Sequence, residues 1–503
     1  QRMSYGIFDA KTANEVYEKI KNRLLEIPPG DLSIKEKEGL VDTVYQHMAD
    51  EAECENVLTS TEEQAITNIL TLSQRKNNKI TDFVSSVIEI FRKDLEEAQQ
   101  SKSGTTGCTA KNKNYARASA INSQKENSHW NRYKNYLLKN YVSQADQISE
   151  QVRYIDDGLL VCEQGKIHWF GSWQEGQAQL NTNTKFQHYP DHLIVPGFID
   201  THIHFPQTEM IGAYGEQLLQ WLNTYTFPTE LQFKDKAYAD QIAQFFVQEL
   251  LKNGTTTALV FCTVHPESVD ALFEAAAQHQ MRLIAGKVLM DRHAPEALCD
   301  NADTGYADSK ALIEKWHGKG RNLYAITPRF APTSSPEQLA RAGQLKTEYP
   351  DVYVHTHLSE NHNEIAWVKQ LFPEQNGYLD VYHHYGLTGL RSVFAHCVHL
   401  EEHEWQCLHH TDSAIAFCPS SNLFLGSGLF PLHKTWERQV KVGLGTDIGA
   451  GTSFNVLHIL NEAYKVQQLQ GAKLSAFEAL YHATLGAAKA LDLDDKLGNF
   501  KVG

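Results

Sequence analysis

Two histidines separated by one residue, His202 and His204, follow the apolar segment that begins at Leu193. The side chains of a β-strand alternate between its two faces, so both imidazole rings lie on one face if this segment is a strand. Two imidazole nitrogens in that arrangement can bind one zinc ion. A bare pair of this kind also occurs as ordinary polar residues at a strand end, so the surrounding elements must decide between the two interpretations.

A second group of polar residues, His355, His357 and Glu360, follows another apolar run. His355 and His357 share a face, and we expect His357 to be the metal ligand because Glu360 comes three residues after it. A glutamate beside an activated water, and not itself bound to the metal, can accept the water proton and return it to a leaving amine. The alternative for Glu360 is a cap on the next helix.

Two further candidates, His396 and Asp447, lie later in the chain. His396 can serve either as a fourth metal ligand or as a hydrogen-bond partner of the attacking water, whereas His399 is expected in the following loop. Asp447 follows a short β-rich run, where a carboxylate would complete a zinc site and orient the water. A helix cap is the alternative interpretation of Asp447.

These candidates all come at the ends of β-rich segments that alternate with helical ones. Eight strands are predicted, at 193–203, 256–264, 282–290, 323–330, 352–358, 391–397, 413–418 and 440–446. Helical segments such as 237–252, 268–279 and 336–347 follow most of them. Eight β/α units over about 300 residues are typical of a (β/α)8 TIM barrel, in which the chemistry takes place at the carboxyl ends of the strands. We therefore expect an α/β TIM barrel of the metallo-dependent hydrolase type at 193–503.

The residues before the barrel differ in character. Apolar residues at helical spacing predict an α-helical region at 1–100, to which no role is assigned. Small and polar residues dominate the start of 101–145, which predicts a linker with one further helix. Residues 146–192 include a predicted β-hairpin, 158–171, that turns at Gln164-Gly165 and would form part of a small β-sandwich.

Composition limits the classes of function. The 503 residues carry a formal charge of −15, from 46 basic and 61 acidic residues. This balance disfavours nucleic-acid binding and docking on anionic membranes, because both need a basic face. The eight cysteines form no CxxC pair and most lie in apolar contexts, so we expect reduced core residues of a cytoplasmic protein. No apolar run approaches the roughly 20 residues that span a bilayer.

Several longer motifs occur together in one order. They are Pro196-Gly-Phe-Ile-Asp-Thr-His-Ile-His204, the segment from His204 to Trp221, Thr226-Phe-Pro-Thr-Glu230, the segments from Asn253 to Val260 and from Ile326 to Ser335, His357-Leu-Ser-Glu360, His396, Phe417-Cys-Pro-Ser-Ser-Asn-Leu423 and Thr446-Asp447. In this combination residues 146–503 resemble the amidohydrolase superfamily and, more narrowly, the bacterial guanine deaminase family.

The resemblance implies a set of roles. The zinc ligands would be His202, His204, His357 and Asp447, with one zinc ion per chain and iron as the alternative metal. Gln207 and Arg329 would bind the purine edge beside the Phe330 backbone. His357 and Glu360 would also contact the substrate. Glu360 would transfer protons, and His396 would hold the water. A guanidinium fork suits the paired O6 and N7 acceptors of guanine. The implied reaction is the hydrolysis of guanine to xanthine and ammonia in purine catabolism, by a homodimer.

The chain departs from this family at both ends, and two alternatives stay open. Family members close with several strands that complete the small sandwich, whereas this sequence stops at Gly503, so we expect those strands to be absent. One alternative is an aminohydrolase of another purine, a pterin, a cytosine or an s-triazine. The other is a binding or effector protein that carries a deaminase and uses residues 1–100 to bind a protein partner. A binuclear site is set aside because Thr327-Pro-Arg-Phe-Ala-Pro332 contains no lysine.

Overall fold

The computed structural model describes residues 152–181, 184–190, 192–214 and 217–503, together with the backbone of one strand at Ala116–Ser119. The predicted helical region 1–100 and most of the predicted linker lie outside the described residues. Among the described residues, no helix is long and apolar enough to cross a membrane.

Two sheets organise the described part of the chain. The smaller one contains β1 (Ala116–Ser119), β2 (Asp157–Glu163), β3 (Lys166–Ser172) and β4 (Gln187–Pro190), in the order β3-β2-β1-β4. The larger one contains β5 (Phe198–His204), β6 (Thr255–Phe261), β7 (Arg282–Gly286), β8 (Val288–Leu289), β9 (Leu323–Pro328), β10 (Tyr353–Leu358), β11 (Ser392–His396), β12 (Ala414–Phe417) and β13 (Lys441–Leu444). Its order is β13-β12-β11-β10-β9-β7-β6-β5, with β8 beside β9 and every pair parallel.

Helices follow most of the large-sheet strands. They lie at Trp173–Gly176, Leu218–Trp221, Phe227–Glu230, Lys236–Lys252, Pro266–Gln278, Ala302–Trp316, Pro336–Glu348, His362–Leu371, Tyr378–His384, Glu402–His410, Pro419–Phe424, Leu432–Glu437, Val456–Leu469, Ala476–His482 and Leu485–Ala490. A π-helical turn, Leu222–Thr226, joins the second of these to the third. This alternation confirms the predicted (β/α)8 barrel.

The helix Lys236–Lys252 shows how the sequence specifies these elements. The side chain of Asp235 accepts a hydrogen bond from Ala237 N–H at 2.9 Å and so caps the first turn. Ile242, Phe246 and Leu250 recur at helical spacing and are buried in the main core. Burial of each such side chain contributes roughly 1.5–3 kcal/mol, which holds the helix against the sheet.

Apolar side chains fill the amino end of the barrel. Ile199, Ile284 and Tyr353 form one buried cluster with the final helix, Leu485–Ala490, and the residues just after it. The Tyr353 hydroxyl donates to the Leu491 carbonyl oxygen at 2.6 Å. The strands are buried on both faces, as expected for a parallel sheet covered by helices.

All eight predicted strands are present, and one of them is divided into two shorter strands. The segment 282–290 forms β7 and β8, which are separated at Lys287. There the backbone N–H donates to the Tyr324 hydroxyl at 3.2 Å, and the buried side chain pairs with Asp300. An added Cβ on Gly286 would lie 1.7 Å from the Ala325 carbonyl oxygen, so close strand contact requires glycine there.

The smaller sheet contains the predicted hairpin and one strand that composition does not indicate. Gln164 and Gly165, with φ of 51° and 79°, form the turn between β2 and β3, as two-residue hairpin turns require. β1 lies inside the segment predicted as a linker, where it pairs antiparallel with β2 and parallel with β4. At the outer edge, Gly503 N–H donates to the Ile167 carbonyl oxygen at 3.1 Å.

A buried histidine gives the fold a measurable pH dependence. Burial lowers the pKa of His482 to about 4 from the ordinary 6.5, despite a hydrogen bond to the Val442 carbonyl oxygen. The unfolded chain therefore binds a proton between these values that the folded chain does not bind, so stability falls as the pH falls through this window. Between about pH 7 and about pH 5, we expect this group to cost about 2 kcal/mol.

Thermal unfolding of the wild type and of His482→Gln across this pH range measures the effect. The variant should show a shallower loss of Tm on acidification, because it lacks the titrating imidazole. Equal slopes for the two proteins would contradict the assignment.

Candidate active site

Three histidine rings and one carboxylate converge at the carboxyl end of the barrel. His202 and His204 are on β5, His357 is on β10, and Asp447 follows β13. The Nε2 atoms of His204 and His357 are 3.2 Å apart. Asp447 Oδ1 lies 3.1 Å from His202 Nε2 and 3.3 Å from His204 Nε2. The three histidines form one group that could hold a metal ion, and Asp447 belongs to a second such group with His202, His396 and Cys418.

The closing contacts of the barrel position this group. Asp447 N–H donates to the His202 carbonyl oxygen at 2.9 Å, and His204 N–H donates to the Ile448 carbonyl oxygen at 3.0 Å. The buried carboxylate of Asp200 accepts from His202 N–H at 3.1 Å and from the Thr446 hydroxyl at 2.5 Å. The first and last strands of the barrel are therefore joined at the point where the ligand atoms meet.

In three of the histidines, the ring nitrogen that faces away from the group has its own partner. His357 Nδ1 hydrogen-bonds the Arg329 carbonyl oxygen at 2.7 Å, and His202 Nδ1 lies 2.8 Å from Nε2 of His355. His396 Nδ1 lies 2.8 Å from Asn422 Oδ1. Such outer partners set the tautomer and orientation of a histidine whose other nitrogen binds a metal. His355, which shares a strand face with His357, lies behind His202.

Electrostatics favour the forms that bind metals. Burial lowers the pKa of His202 and His204, the latter to about 3, so both rings are neutral at neutral pH. Burial, together with the charges of His202 and His204, lowers the pKa of His357 well below its ordinary value. Burial alone would raise the pKa of Asp447, but the adjacent charge of His202 outweighs it and holds the pKa well below the ordinary value.

The donor set fits a metal such as zinc. His202 Nε2 is a buried nitrogen without a hydrogen-bond partner among the described residues, and it faces Asp447. Buried polar atoms normally have a partner, so an unsatisfied nitrogen within a histidine–carboxylate group is accounted for by a bound cation. Neutral imidazoles and a carboxylate are the ligands that zinc takes from proteins.

Glu360 lies beside this group, and its pKa is shifted towards neutral pH. Burial and the charge of Asp447 raise its pKa to about 8, although a hydrogen bond from Ser427 opposes the shift. The Ser427 hydroxyl donates to Glu360 Oε1 at 2.8 Å, and His396 Nε2 lies 3.5 Å from Oε2. A carboxyl group with a pKa near the working pH can both accept and donate a proton.

The structure does not show the helix-cap alternatives for Glu360 and Asp447. Asn361 and Glu364 form the capping box of the helix His362–Leu371, and Glu364 Oε2 also accepts from Glu360 N–H at 3.0 Å. The helix that follows Asp447, Val456–Leu469, is capped by Asn455. Both carboxylates are thus available to the site.

A pocket adjoins the group and contains the remaining predicted residues. Its walls include His204, Gln207, Leu218, Trp221, Leu222, Arg329, Phe330, His357, Glu360, Glu364, His396, Leu425, Asp447 and Ala450. Every predicted site residue either lines this pocket or, as with the fully buried His202, lies in the ligand group behind it. The predicted catalytic and binding residues are therefore brought together in one place.

The two residues predicted to grip the substrate share one partner that sequence reasoning missed. Arg329 Nη1 donates to both carboxylate oxygens of Glu230, at 2.8 and 3.0 Å. Gln207 Nε2 donates to Glu230 Oε1 at 3.2 Å, and Gln207 Oε1 accepts from Gly449 N–H at 3.1 Å. The sequence feature that could have indicated Glu230 is the motif that ends at this residue, but no role was predicted for Glu230.

Ser427 is the second missed residue. It lies between two glycines, and its carbonyl oxygen hydrogen-bonds His399 Nε2 at 2.7 Å. A glycine-flanked serine after a helix is a weak signal, because such segments are common in ordinary loops. Its contact with Glu360 joins residues 67 positions apart in the sequence.

Comparisons with known proteins agree with this geometry. Residues 193–503 match the amidohydrolase family. The guanine deaminase of Escherichia coli (strain K12) is 64% identical over 362 residues, which cover 72% of this chain and 82% of that protein. The solved structure of E. coli guanine deaminase superposes with a TM-score of 0.70 and covers 71% of this chain and 83% of that one.

A second solved structure extends the comparison to a more distant relative. Guanine deaminase from C. acetobutylicum, with guanine bound in its active site, is 33% identical, with a TM-score of 0.66. The match covers 69% of this chain and 84% of that one. The fold and the site thus define a (β/α)8 barrel with histidines and a carboxylate at its carboxyl end that could hold a metal ion. The chain belongs to the amidohydrolase family.

The Ser427–Glu360 contact leads to a prediction. Replacing Ser427 with alanine removes the only hydrogen bond that the described residues donate to this carboxylate, so Glu360 loses its fixed orientation. We expect kcat to fall about tenfold, with KM changed less than about twofold, because proton transfer depends on geometry. Steady-state kinetics of the folded variant measure both constants.

Ser421→Ala serves as the matched control. Ser421 is also buried, and its hydroxyl has no hydrogen-bond partner among the described residues. Its kinetics should stay close to those of the wild type. Similar losses in both variants would show that the effect comes from general repacking and not from Glu360.

Proposed function

We propose that this protein hydrolyses guanine to xanthine and ammonia. The observation that carries the proposal is the placement of Gln207 and Arg329 on the wall of a pocket that also contains Glu360 and the histidine–carboxylate group. The same pocket thus offers donors for a purine edge and a carboxyl group for proton transfer. The high identity to guanine deaminases favours guanine over the other heterocyclic amines that the sequence leaves open.

We propose zinc as the metal, held by His202, His204, His357 and Asp447, with one ion per chain. The proposal is supported by neutral imidazoles, an ionised carboxylate and one buried nitrogen, His202 Nε2, without a hydrogen-bond partner among the described residues. A bound zinc ion supplies Lewis acidity that makes water nucleophilic at neutral pH. Iron is the alternative metal for a site with nitrogen and oxygen ligands.

The remaining side chains bind and orient the purine. Arg329 offers N–H donors to the paired O6 and N7 acceptors, and its position is fixed by Glu230. Gln207 uses its Oε1 on Gly449 and one Nε2 hydrogen on Glu230, so its second N–H is available to the substrate. Phe330 contributes its backbone, and Trp221 and Leu222 form an apolar wall. This arrangement presents the amino-bearing C2 to the water.

Glu360 moves the protons of the reaction. It accepts a proton from the attacking water while the new C2–O bond forms. It then gives this proton to the amino nitrogen, the C2–N bond breaks, and ammonia leaves. The remaining hydroxyl proton moves from the C2 oxygen to ring N3, which gives the carbonyl of xanthine. The hydrogen bond from Ser427 holds one carboxylate oxygen, while the other stays near His396, which would hold the water.

We further propose that the protein acts as a cytoplasmic homodimer in purine catabolism. Two exposed apolar side chains seven residues apart on one face of the helix Val456–Leu469, Leu457 and Tyr464, support an association surface. The role of residues 1–100 as the binding site of a separate protein partner stays a prediction, because these residues lie outside the described part of the chain.

Glu360→Gln tests the mechanism. The amide keeps the size of the side chain but does not accept the water proton, so we expect ammonia release from guanine to fall by at least about 100-fold. Metal content, measured by mass spectrometry, should remain one zinc ion per chain, because Glu360 is not among the proposed ligands. A protein that keeps its full rate would remove Glu360 from the mechanism.

Glu437→Gln is the control for this substitution. Glu437 is exposed on the helix Leu432–Glu437, away from the pocket residues. It should keep the wild-type rate and the wild-type metal content. Failure of the wild type itself to release ammonia from guanine would contradict the proposed function.

A further inference from the structure

Glu230 is a buried carboxylate that the reaction scheme does not use directly. It ends the helix Phe227–Glu230, and its side chain has 0% exposure. Glu230 is absent from the residues that line the pocket in the described part of the chain, whereas Gln207 and Arg329 line it. Any effect of Glu230 on a ligand must therefore act through these two residues.

The contacts of Glu230 account for the charge of the pocket wall. Arg329 Nη1 is 2.8 and 3.0 Å from the two carboxylate oxygens, and the Arg329 side chain is 3% exposed. The guanidinium also lies 5.5 Å from the centre of the Phe227 ring, so apolar surface borders it. A single buried charge is unfavourable and attracts any anion strongly, whereas a buried ion pair is neutral as a unit.

The substrate and product of the proposed reaction differ in acidity. Guanine is neutral near physiological pH. Replacement of its amino group by a carbonyl adds a second lactam N–H, so xanthine loses a proton more readily and becomes an anion in mildly alkaline solution. An unpaired Arg329 would consequently bind the product anion more tightly than the substrate.

We propose that Glu230 is a positioning and specificity residue that neutralises Arg329, so that the pocket prefers neutral guanine to anionic xanthine. This inference rests on the proposed function. Glu230 leaves the remaining N–H groups of Arg329 as donors to the purine while it cancels their net charge. It also fixes the Gln207 amide, so charge and orientation are set by the same carboxylate. The neutral Arg329–Glu230 pair therefore favours release of the xanthine product.

Glu230→Gln tests the charge separately from the shape, because glutamine keeps the size of the side chain and one acceptor oxygen. Xanthine binding to the zinc-loaded protein is measured by calorimetry in mildly alkaline buffer, and KM for guanine is measured by ammonia release. We expect xanthine to bind about tenfold tighter or more, while KM for guanine stays constant or rises. Opposite changes for the two ligands are the signature of a charge effect.

Glu230→Asp is the matched control, since it keeps the charge and shortens the side chain. We expect it to weaken xanthine and guanine binding in parallel, as a loss of positioning would. Parallel weakening in Glu230→Gln, in a protein that still deaminates guanine, would overturn the inference alone. Absence of ammonia release by the wild type would overturn the proposed function and this inference with it.

A measurement on the wild type keeps the inference testable if Glu230→Gln does not fold. Hypoxanthine is neutral and carries the same O6 and N7 acceptors as xanthine. A neutral Arg329–Glu230 pair predicts that hypoxanthine binds at least as tightly as the xanthine anion. Binding of xanthine that is about tenfold tighter than that of hypoxanthine would overturn the inference.

Discussion

The contact between β5 and the segment after β13 closes the barrel and assembles the candidate metal site at the same time. Asp447 N–H donates to the His202 carbonyl oxygen at 2.9 Å, and Asp200 accepts hydrogen bonds from both sides of the closure. The carboxylate and the paired histidines consequently cannot move apart without opening the sheet. The rigid barrel therefore holds the ligand side chains in a fixed geometry, as a metal site with few ligands requires.

Burial then sets the protonation states that the chemistry needs. The same apolar surroundings lower the pKa of His204 to about 3 and raise the pKa of Glu360 to about 8. A buried group favours its uncharged form, so an imidazole becomes a neutral ligand and a carboxyl group becomes a proton carrier. Asp447 and Arg329 are exceptions. Asp447 stays ionised beside His202, and the charge of Arg329 is acceptable in this environment because Glu230 pairs with it.

Much of the fold follows from the sequence because the barrel repeats one pattern. Short apolar runs bounded by helical segments identify all eight strands, and the candidate ligands mark where several of them end. The division of 282–290 into β7 and β8 falls at Lys287, whose partners Tyr324 and Asp300 both lie outside that segment. β1 has the sequence Ala-Arg-Ala-Ser and is a strand because β2 and β4 supply its hydrogen bonds. Composition alone therefore predicts a linker there.

The sequence by itself determined the residue types and spacings that indicate a metallohydrolase, namely the His202–His204 pair and the order in which His357, Glu360, His396 and Asp447 follow. The tertiary structure decided which groups support them. Glu230 pairs with Arg329 across 99 residues, and His355 lies against His202 across 153. Buried polar atoms need partners, and in a barrel these come from neighbouring strand ends and loops. The separation of two residues along the sequence does not indicate whether they are close in space.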